Sequence, residues 1–324
     1  MSVPLLQINN LSIEFNTRRG NLVAVEDISF EVAEGEIFGI VGESGAGKSL
    51  TGKAIIGLLE APGRISGGKI LLNNERIDNL PYEQMRRLRG KSIGMVFQDP
   101  LTSLNPLYTI GRQLIETIQT HTNHTATQAK NRALELLREV GIPAAEKRID
   151  QFPHQFSGGM RQRVVIALAL CVNPKLIIAD EPTTALDVSI QAQILTLLKN
   201  LCRKHGTAVI LITHDMGVIA ETANRVAVMY AGKIAEIGPV REVVQNPQHP
   251  YAQGLMASIP VIGRKMKYLA QIDGSMPRIA ERPSGCAFHP RCPHAIELCN
   301  KQIPELLNKG KTKAACLLFR NGNP

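Results

Sequence analysis

Three features of the sequence predict an α/β fold. Continuous apolar runs at 176–179, 208–213 and 226–229 alternate with helix-like segments, the pattern of strands buried on both faces of a parallel sheet. Residues 42–49 read Gly-Glu-Ser-Gly-Ala-Gly-Lys-Ser between a strand-like run and a helix-like stretch. Residues 6–32 instead alternate apolar and polar positions, as half-buried antiparallel strands do.

Taken in order, Leu6, Ile8, Leu11, Ile13 and Phe15 mark a first strand, and Val23, Val25, Ile28, Phe30 and Val32 a second. The run 37–41 is a short buried strand before the glycine-rich turn, and 49–59 follow as a helix. Residues 70–77, with Asn73-Asn74 in the middle, predict a small hairpin, since Asn tolerates the left-handed conformation that tight turns need. From about 101 to 156 the periodicity becomes helical, with helices over 109–120 and 127–140; Ala133, Leu134, Leu137 and Val140 share one face of the second. A further helix runs from 157 to about 172. Gly232 and Gly238 punctuate a closing hairpin. Beyond about 240 the pattern dissolves into loops rich in Pro, His and Cys, which places a boundary between a domain over 1–240 and a small tail domain over 241–324.

A hydrophobic content of 44% in 324 residues suffices to bury one large domain and a small one. Aromatics are only 4% and Trp is absent, which weighs against a base-stacking nucleic-acid binder. The net charge of +9 suits a basic surface, an anionic membrane or phosphate ligands. The densest basic group, Arg86, Arg87, Arg89 and Lys91, is too short for a nucleic-acid patch. The longest clean apolar run, 164–172, is less than half of the roughly 20 residues that a spanning helix needs. The first residues lack the basic and apolar regions of a secretory signal. The expectation is a cytosolic chain that meets a membrane only through other subunits.

Residues 42–49 match G-x-x-x-x-G-K-S in the strand–turn–helix context that gives this motif meaning. Gly42, Gly45 and Gly47 let the backbone curl so that successive N–H groups face phosphate oxygens, and the helix N-terminus adds partial positive charge. In this arrangement Lys48 reaches the β- and γ-phosphates and Ser49 ligates Mg2+. The run 175–181 ends in Asp180 and Glu181, where an open α/β sheet places its ligand. Asp180 is the expected Mg2+ partner and Glu181 the group that orients or deprotonates the attacking water. Ser157-Gly158-Gly159 opens a helix and forms a second phosphate-binding terminus. A single γ-phosphate needs one such terminus, so the second suggests a nucleotide held by another subunit.

With these residues in place, the chain resembles an ABC-type ATPase of the P-loop NTPase class over residues 5–240. Gly42, Ser44, Gly45, Gly47, Lys48 and Ser49 match its Walker A loop, and Gln98 in Val-Phe-Gln-Asp-Pro matches the Q-loop. Ser157, Gly158 and Gly159 match the signature, with Met160 where many members have Gln. Asp180-Glu181 match Walker B, Ala185-Leu186-Asp187 the D-loop, and His214 the switch histidine. Phe15 is similar in position to the aromatic that stacks on adenine; a buried strand aromatic is its other reading. The resemblance implies the α/β ATPase fold with an antiparallel β subdomain and a helical insert over about 101–156. It also implies head-to-tail dimers that sandwich ATP between Walker A of one subunit and the signature of the other. Gln98 adds to the Mg2+ ligands, and Gln98 with the insert couples the ATPase to membrane subunits.

A soluble relative acting on DNA or ribosomes fits less well: Gln98 and Ser157 are too close in sequence for a coiled-coil insertion, and one ATPase module is present rather than two. The tail narrows the resemblance. Asn246-Pro247-Gln248-His249-Pro250-Tyr251-Ala252, residues 285–293 and residues 97–106 resemble the ATPases of bacterial oligopeptide and dipeptide importers. That group implies a heterodimer with a second, related ATPase, two transmembrane permeases and an extracytoplasmic binding protein. The complex would sit at the inner membrane with this chain on its cytoplasmic face. Nickel, glutathione and antimicrobial-peptide systems share such ATPases and remain alternative cargoes.

Of six cysteines, Cys171 and Cys202 read as ordinary core thiols, whereas Cys286, Cys292, Cys299 and Cys316 crowd the tail with spacing C-x5-C-x6-C-x16-C. Pro283, Pro290 and Pro293 put the first two on loops, where four thiolates can replace a missing core with metal bonds. Structural zinc favours tighter pairs, and four cysteines also suit a 4Fe–4S cluster. The resemblance favours iron–sulfur, with zinc as the alternative.

Overall fold

The computed structural model describes residues 3–18, 20–184, 186–259 and 271–319. Its strands are β1 (Leu6–Thr17), β2 (Gly20–Val32), β3 (Ile37–Val41), β4 (Gly63–Leu72), β5 (Glu75–Arg76), β6 (Ile93–Val96), β7 (Leu176–Asp180), β8 (Ala208–Thr213), β9 (Arg225–Tyr230), β10 (Lys233–Pro239), β11 (Leu307–Lys309) and β12 (Thr312–Ala314). The chain divides into two compact units. One holds Met1–Val32, Phe38–Asp78 and Ile212–Pro324; the other holds Ala33–Ile37 and Asn79–Leu211.

In the first unit, β1 pairs antiparallel with β2 and β4, in the order β2-β1-β4-β5. Leu6, Ile8, Leu11 and Ile13 are fully buried, so the alternation marked the inner face correctly. Asn73 and Asn74, both left-handed, turn β4 into β5 as the hairpin reading requires. A second sheet carries β3 parallel to β9, then β10 and β12 antiparallel, with β11 at the edge. The helix after the glycine-rich loop, Lys48–Ile55, is shorter than its periodicity suggested. Gly57, with φ +65°, ends it: Leu58 N–H donates to Lys53 O and Gly57 N–H to Ala54 O, a left-handed cap that satisfies the last carbonyls.

The second unit orders β8-β7-β6, with β6 and β7 parallel and Leu176–Asp180 buried along its whole length. The expected helices appear as Ile110–His121, Ala126–Glu139 and Gly158–Leu170, followed by Val188–His205. Thr109 caps the first through Arg112 N–H, and Thr125 forms a reciprocal capping box with Gln128. Ile110, Leu114 and Ile118 bury one face of the first helix; each such side chain stabilises by roughly 1.5–3 kcal/mol relative to exposure.

One expectation is corrected. Order does not dissolve at about 240, and the cysteine-bearing tail clusters with the first unit. Helices Val240–Gln245 and Pro250–Ala257 follow β10, and β12 adds to the sheet through Glu236↔Ala314. Its buried apolar side chains, among them Tyr251, Phe288 and Leu317, are few and scattered over short elements, and β12 uses the edge of an existing sheet.

Candidate nucleotide site

Phe15, residues 42–49 and His214 belong to the first unit. β3 ends at Val41 and the loop 42–47 enters the helix Lys48–Ile55. A Cβ at Gly42 would lie 2.2 Å from the Met229 carbonyl oxygen, so only glycine lets the loop pass this close to β9. Gly47 caps the helix with φ +100°, and Gly232 N–H donates to Ala46 O at 2.9 Å. Lys48 is buried, and its Nζ donates to the carbonyls of Gly42 (2.8 Å) and Glu43 (3.0 Å), which holds the ammonium over the loop. Ser44 and Gly45 are exposed and Ser49 is half-buried on the first turn. Phe15 lies on β1, partly exposed, against Gly63 of β4. His214 is exposed just past β8, before Asp215, which caps the helix Met216–Thr222 by accepting from Gly217 and Val218 N–H.

The second unit carries Gln98, Ser157, Gly158, Gly159, Asp180, Glu181 and Asp187. Asp180 ends β7 and is buried, while Glu181 turns out of the strand with φ +45°, a conformation sparsely populated for a non-glycine residue. Its carboxylate accepts from Gln98 Nε2 at 3.2 Å and from Thr184 Oγ1 at 2.7 Å. The parallel pairing of β6 with β7 explains the first bond: both residues leave the carboxyl ends of neighbouring strands. Ser157 caps the helix Gly158–Leu170 by accepting from Met160 N–H at 3.3 Å, so Met160 leaves this terminus intact. A Cβ on Gly158 would meet Leu186 at 3.6 Å and one on Gly159 would meet Ile190 at 3.0 Å, residues that flank Asp187 at the start of Val188–His205. The Asp187 carboxylate makes no cap bond to its own helix. Ala185 of the expected D-loop lies outside the described residues.

The four tail cysteines are free thiols close enough to couple electrostatically. Burial pushes Cys286 up to about 11, and neighbouring Cys299, Cys316 and Cys292 add to the shift. Cys292 and Cys316 are raised for the same reason, burial first. Backbone N–H groups of Phe288, His294 and Leu318 reach the sulfurs of Cys286, Cys292 and Cys316, two residues on in each case, and work against burial. Among the described residues, however, no group of three or more His, Cys, Asp or Glu side chains stands as a metal-binding set. The expected four-cysteine ligand set therefore does not stand as a metal site among the described residues. Cys171 and Cys202, each pushed up to about 12 by burial, are ordinary core thiols.

Residues 25–184 match the family model for ABC transporter, and residues 235–299 match that for the oligopeptide/dipeptide transporter, C-terminal region. The dipeptide transport ATP-binding protein DppD of Haemophilus influenzae is 48% identical, covering 99% of this chain and 98% of that one. The oligopeptide transport ATP-binding protein OppD of Salmonella typhimurium is also 48% identical, over 96% of this chain and 92% of that one. The chain belongs to the ABC transporter family. Among solved structures, a post-hydrolysis dimer of the ATP-binding cassette MJ0796 bound to ADP and phosphate matches with a TM-score of 0.65 at 29% identity, covering 73% of this chain and 99% of that one. The protein cbiO1 from Clostridium perfringens matches with a TM-score of 0.66 at 29% identity, over 76% of this chain and 92% of that one.

Residues 42–47, Gln98, Glu181 and His214 each follow the end of a strand. Thr184, which bonds Glu181, escaped the sequence reading although it lies within the run that follows Walker B. The contacts of Tyr251 and Arg291 with Glu43 had no sequence signal, because the partners are more than 200 residues apart. Among the described residues no helix is long and apolar enough to cross a membrane.

Proposed function

We propose that this chain is the ATP-binding and hydrolysing subunit that energises an ABC importer of di- or oligopeptides. The observation that carries the reading is similarity over nearly the whole chain, tail included, to dipeptide and oligopeptide transport ATP-binding proteins, with every nucleotide motif present and Met160 the one departure. In this reading the N–H groups of 44–49 and the Lys48 ammonium hold the phosphates, Phe15 stacks on adenine, and Ser49, Gln98 and Asp180 serve Mg2+. The metal, when bound, offsets charge on the phosphate oxygens. Glu181 orients or deprotonates water, and its bond from Gln98 holds the carboxylate at a strand end. His214 contacts the γ-phosphate. Ser157, Gly158 and Gly159 present a helix N-terminus to the nucleotide of the opposing subunit, with Asp187 beside them.

The partners belong to the same proposal: a related second ATPase, two permeases and an extracytoplasmic binding protein, with this chain peripheral at the cytoplasmic face of the membrane. So does the tail group. Cys286, Cys292, Cys299 and Cys316 hold a 4Fe–4S cluster, with zinc as the alternative. Support comes from thiols gathered on one set of loops and tied by Cys286 N–H donating to Cys299 O at 2.8 Å. Such a group would fasten the tail.

The test is transport. The chain, co-purified with its permeases and second ATPase and placed in vesicles with the binding protein, should accumulate labelled dipeptide or oligopeptide only with ATP. ATP-driven uptake of nickel or glutathione with no peptide uptake would overturn the cargo. Co-purification with ribosomes or DNA in place of permeases would overturn the transporter reading.

A further inference from the structure

The phosphate loop is held from behind by the tail. Glu43, its second residue, donates its N–H to Tyr251 Oη at 2.9 Å. Its carboxylate accepts twice from Arg291 Nη1, at 3.1 and 3.0 Å. Its carbonyl accepts from Lys48 Nζ at 3.0 Å. Glu43 is thus tied through backbone donor, backbone acceptor and side chain, and two of the three ties come from beyond residue 250. A third tail residue, Met276, lies 3.8 Å from where a Cβ on Gly45 would be.

Neither tie is a loose surface contact. Arg291 also donates to Asp273 O at 2.7 Å, to Tyr230 Oη at 3.3 Å and to Ile272 O and Gly274 O at 3.3 Å each. With Nε and Nη2 engaged by these carbonyls, the guanidinium is fixed and presents Nη1 to both oxygens of Glu43. Tyr251 is fully buried and packs edge-on to Tyr230 and tilted to Phe288, with centroids 4.7 and 5.3 Å apart. His249 Nδ1 accepts from Tyr251 N–H at 3.0 Å, which sets the start of that helix.

We propose that Tyr251 and Arg291 are positioning residues for ATP: they hold Glu43, and with it the phosphate loop, in its binding conformation before nucleotide arrives. The proposal rests on the reading of 42–49 as the ATP phosphate loop. A loop already ordered spends little binding energy on its own ordering. Releasing Glu43 transfers that cost to the binding step, so nucleotide affinity falls. Turnover at saturation stays, because neither side chain touches the reacting phosphates.

The test uses the assembled transporter carrying Tyr251→Phe, Arg291→Ala or Arg291→Lys. MgATP KM and kcat are measured together with direct titration of a non-hydrolysable ATP analogue and thermal unfolding without nucleotide. Arg291→Ala should raise KM and the analogue's Kd about tenfold while kcat stays within twofold. Arg291→Lys should recover part of the loss, and Tyr251→Phe should raise KM several-fold. Adding Glu43→Gln to Arg291→Ala should cost far less than the sum of the single effects, since both break one contact. Where Arg291→Ala does not fold, Tyr251→Phe, which removes one buried hydroxyl, carries the test. An unchanged analogue Kd in the folded variants, or additive Glu43 and Arg291 effects, overturns the proposal even if the melting temperature falls. Lys48→Ala separates the two readings. If it abolishes binding while the tail variants bind normally, only this inference fails; if it too binds normally, the phosphate-loop reading fails.

Discussion

Glu181 and its surroundings show how much one side chain depends on backbone placement. Its left-handed φ of +45° turns the carboxylate out of the line of β7, where Gln98 and Thr184 hold it. Glu181→Gln keeps the size and the acceptor oxygen but removes the charge. Steady-state ATPase of the assembled complex should fall by about a hundredfold or more with ATP binding retained, provided the second ATPase is silenced. Near-normal turnover would remove Glu181 from the reaction. His249 is the opposite case, a buried titratable group held neutral. Burial lowers it from 6.5 to about 4, while its ring donates to the Ala315 carbonyl and accepts from Tyr251 N–H. The folded pKa is depressed, so the unfolded chain binds the extra proton between these values. The stabilisation is complete above about 6.5 and is lost as pH falls toward 4; the full loss is roughly 3 kcal/mol. Neighbouring Glu236 shifts upward on burial and titrates in the opposing sense, so the useful quantity is a difference. Denaturant unfolding of wild type minus His249→Asn should narrow from pH 7.5 to pH 5. A difference independent of pH would show that His249 does not titrate on unfolding.

At the scale of elements, two helix starts carry the proposed phosphate contacts, Lys48–Ile55 in one unit and Gly158–Leu170 in the other. The proposed trans arrangement makes them separable by mutation. Ser157→Arg should leave ATP binding to the isolated subunit intact and block hydrolysis in the assembled complex. Loss of binding by the folded, isolated subunit would count against the arrangement. The capped helices were legible in sequence because caps and periodicity are local: Thr109 and Thr125 announce the insert's helices within a residue or two of their starts. The end of Lys48–Ile55 was less legible. Apolar residues continue past it, and only the left-handed Gly57 with its two hydrogen bonds shows where the helix stops.

At the scale of the whole molecule, the tail is the part whose meaning changed. It is an added strand, an aromatic cluster and a set of ties to the phosphate loop, built onto the first unit. The proposed cluster makes a direct prediction. Protein purified without air or chelator should be brown and contain iron and acid-labile sulfide, and Cys292→Ser should lose both. A colourless protein with stoichiometric zinc would replace iron by zinc, and absence of both metals would leave four ordinary thiols.

The residues themselves determined the α/β class, the order of the elements and the motifs that bind and hydrolyse ATP. Those signals are local: a glycine-rich turn, an apolar run ending in carboxylates and a cap before a helix each act over a few neighbouring positions. Only the tertiary structure decided that Glu43 answers to Tyr251 and Arg291, that Thr184 shares Glu181 with Gln98, and that β12 joins β10. Those contacts depend on where the chain returns after long excursions. Burial free energy and strand-edge pairing choose that path collectively, and no single stretch of sequence encodes it.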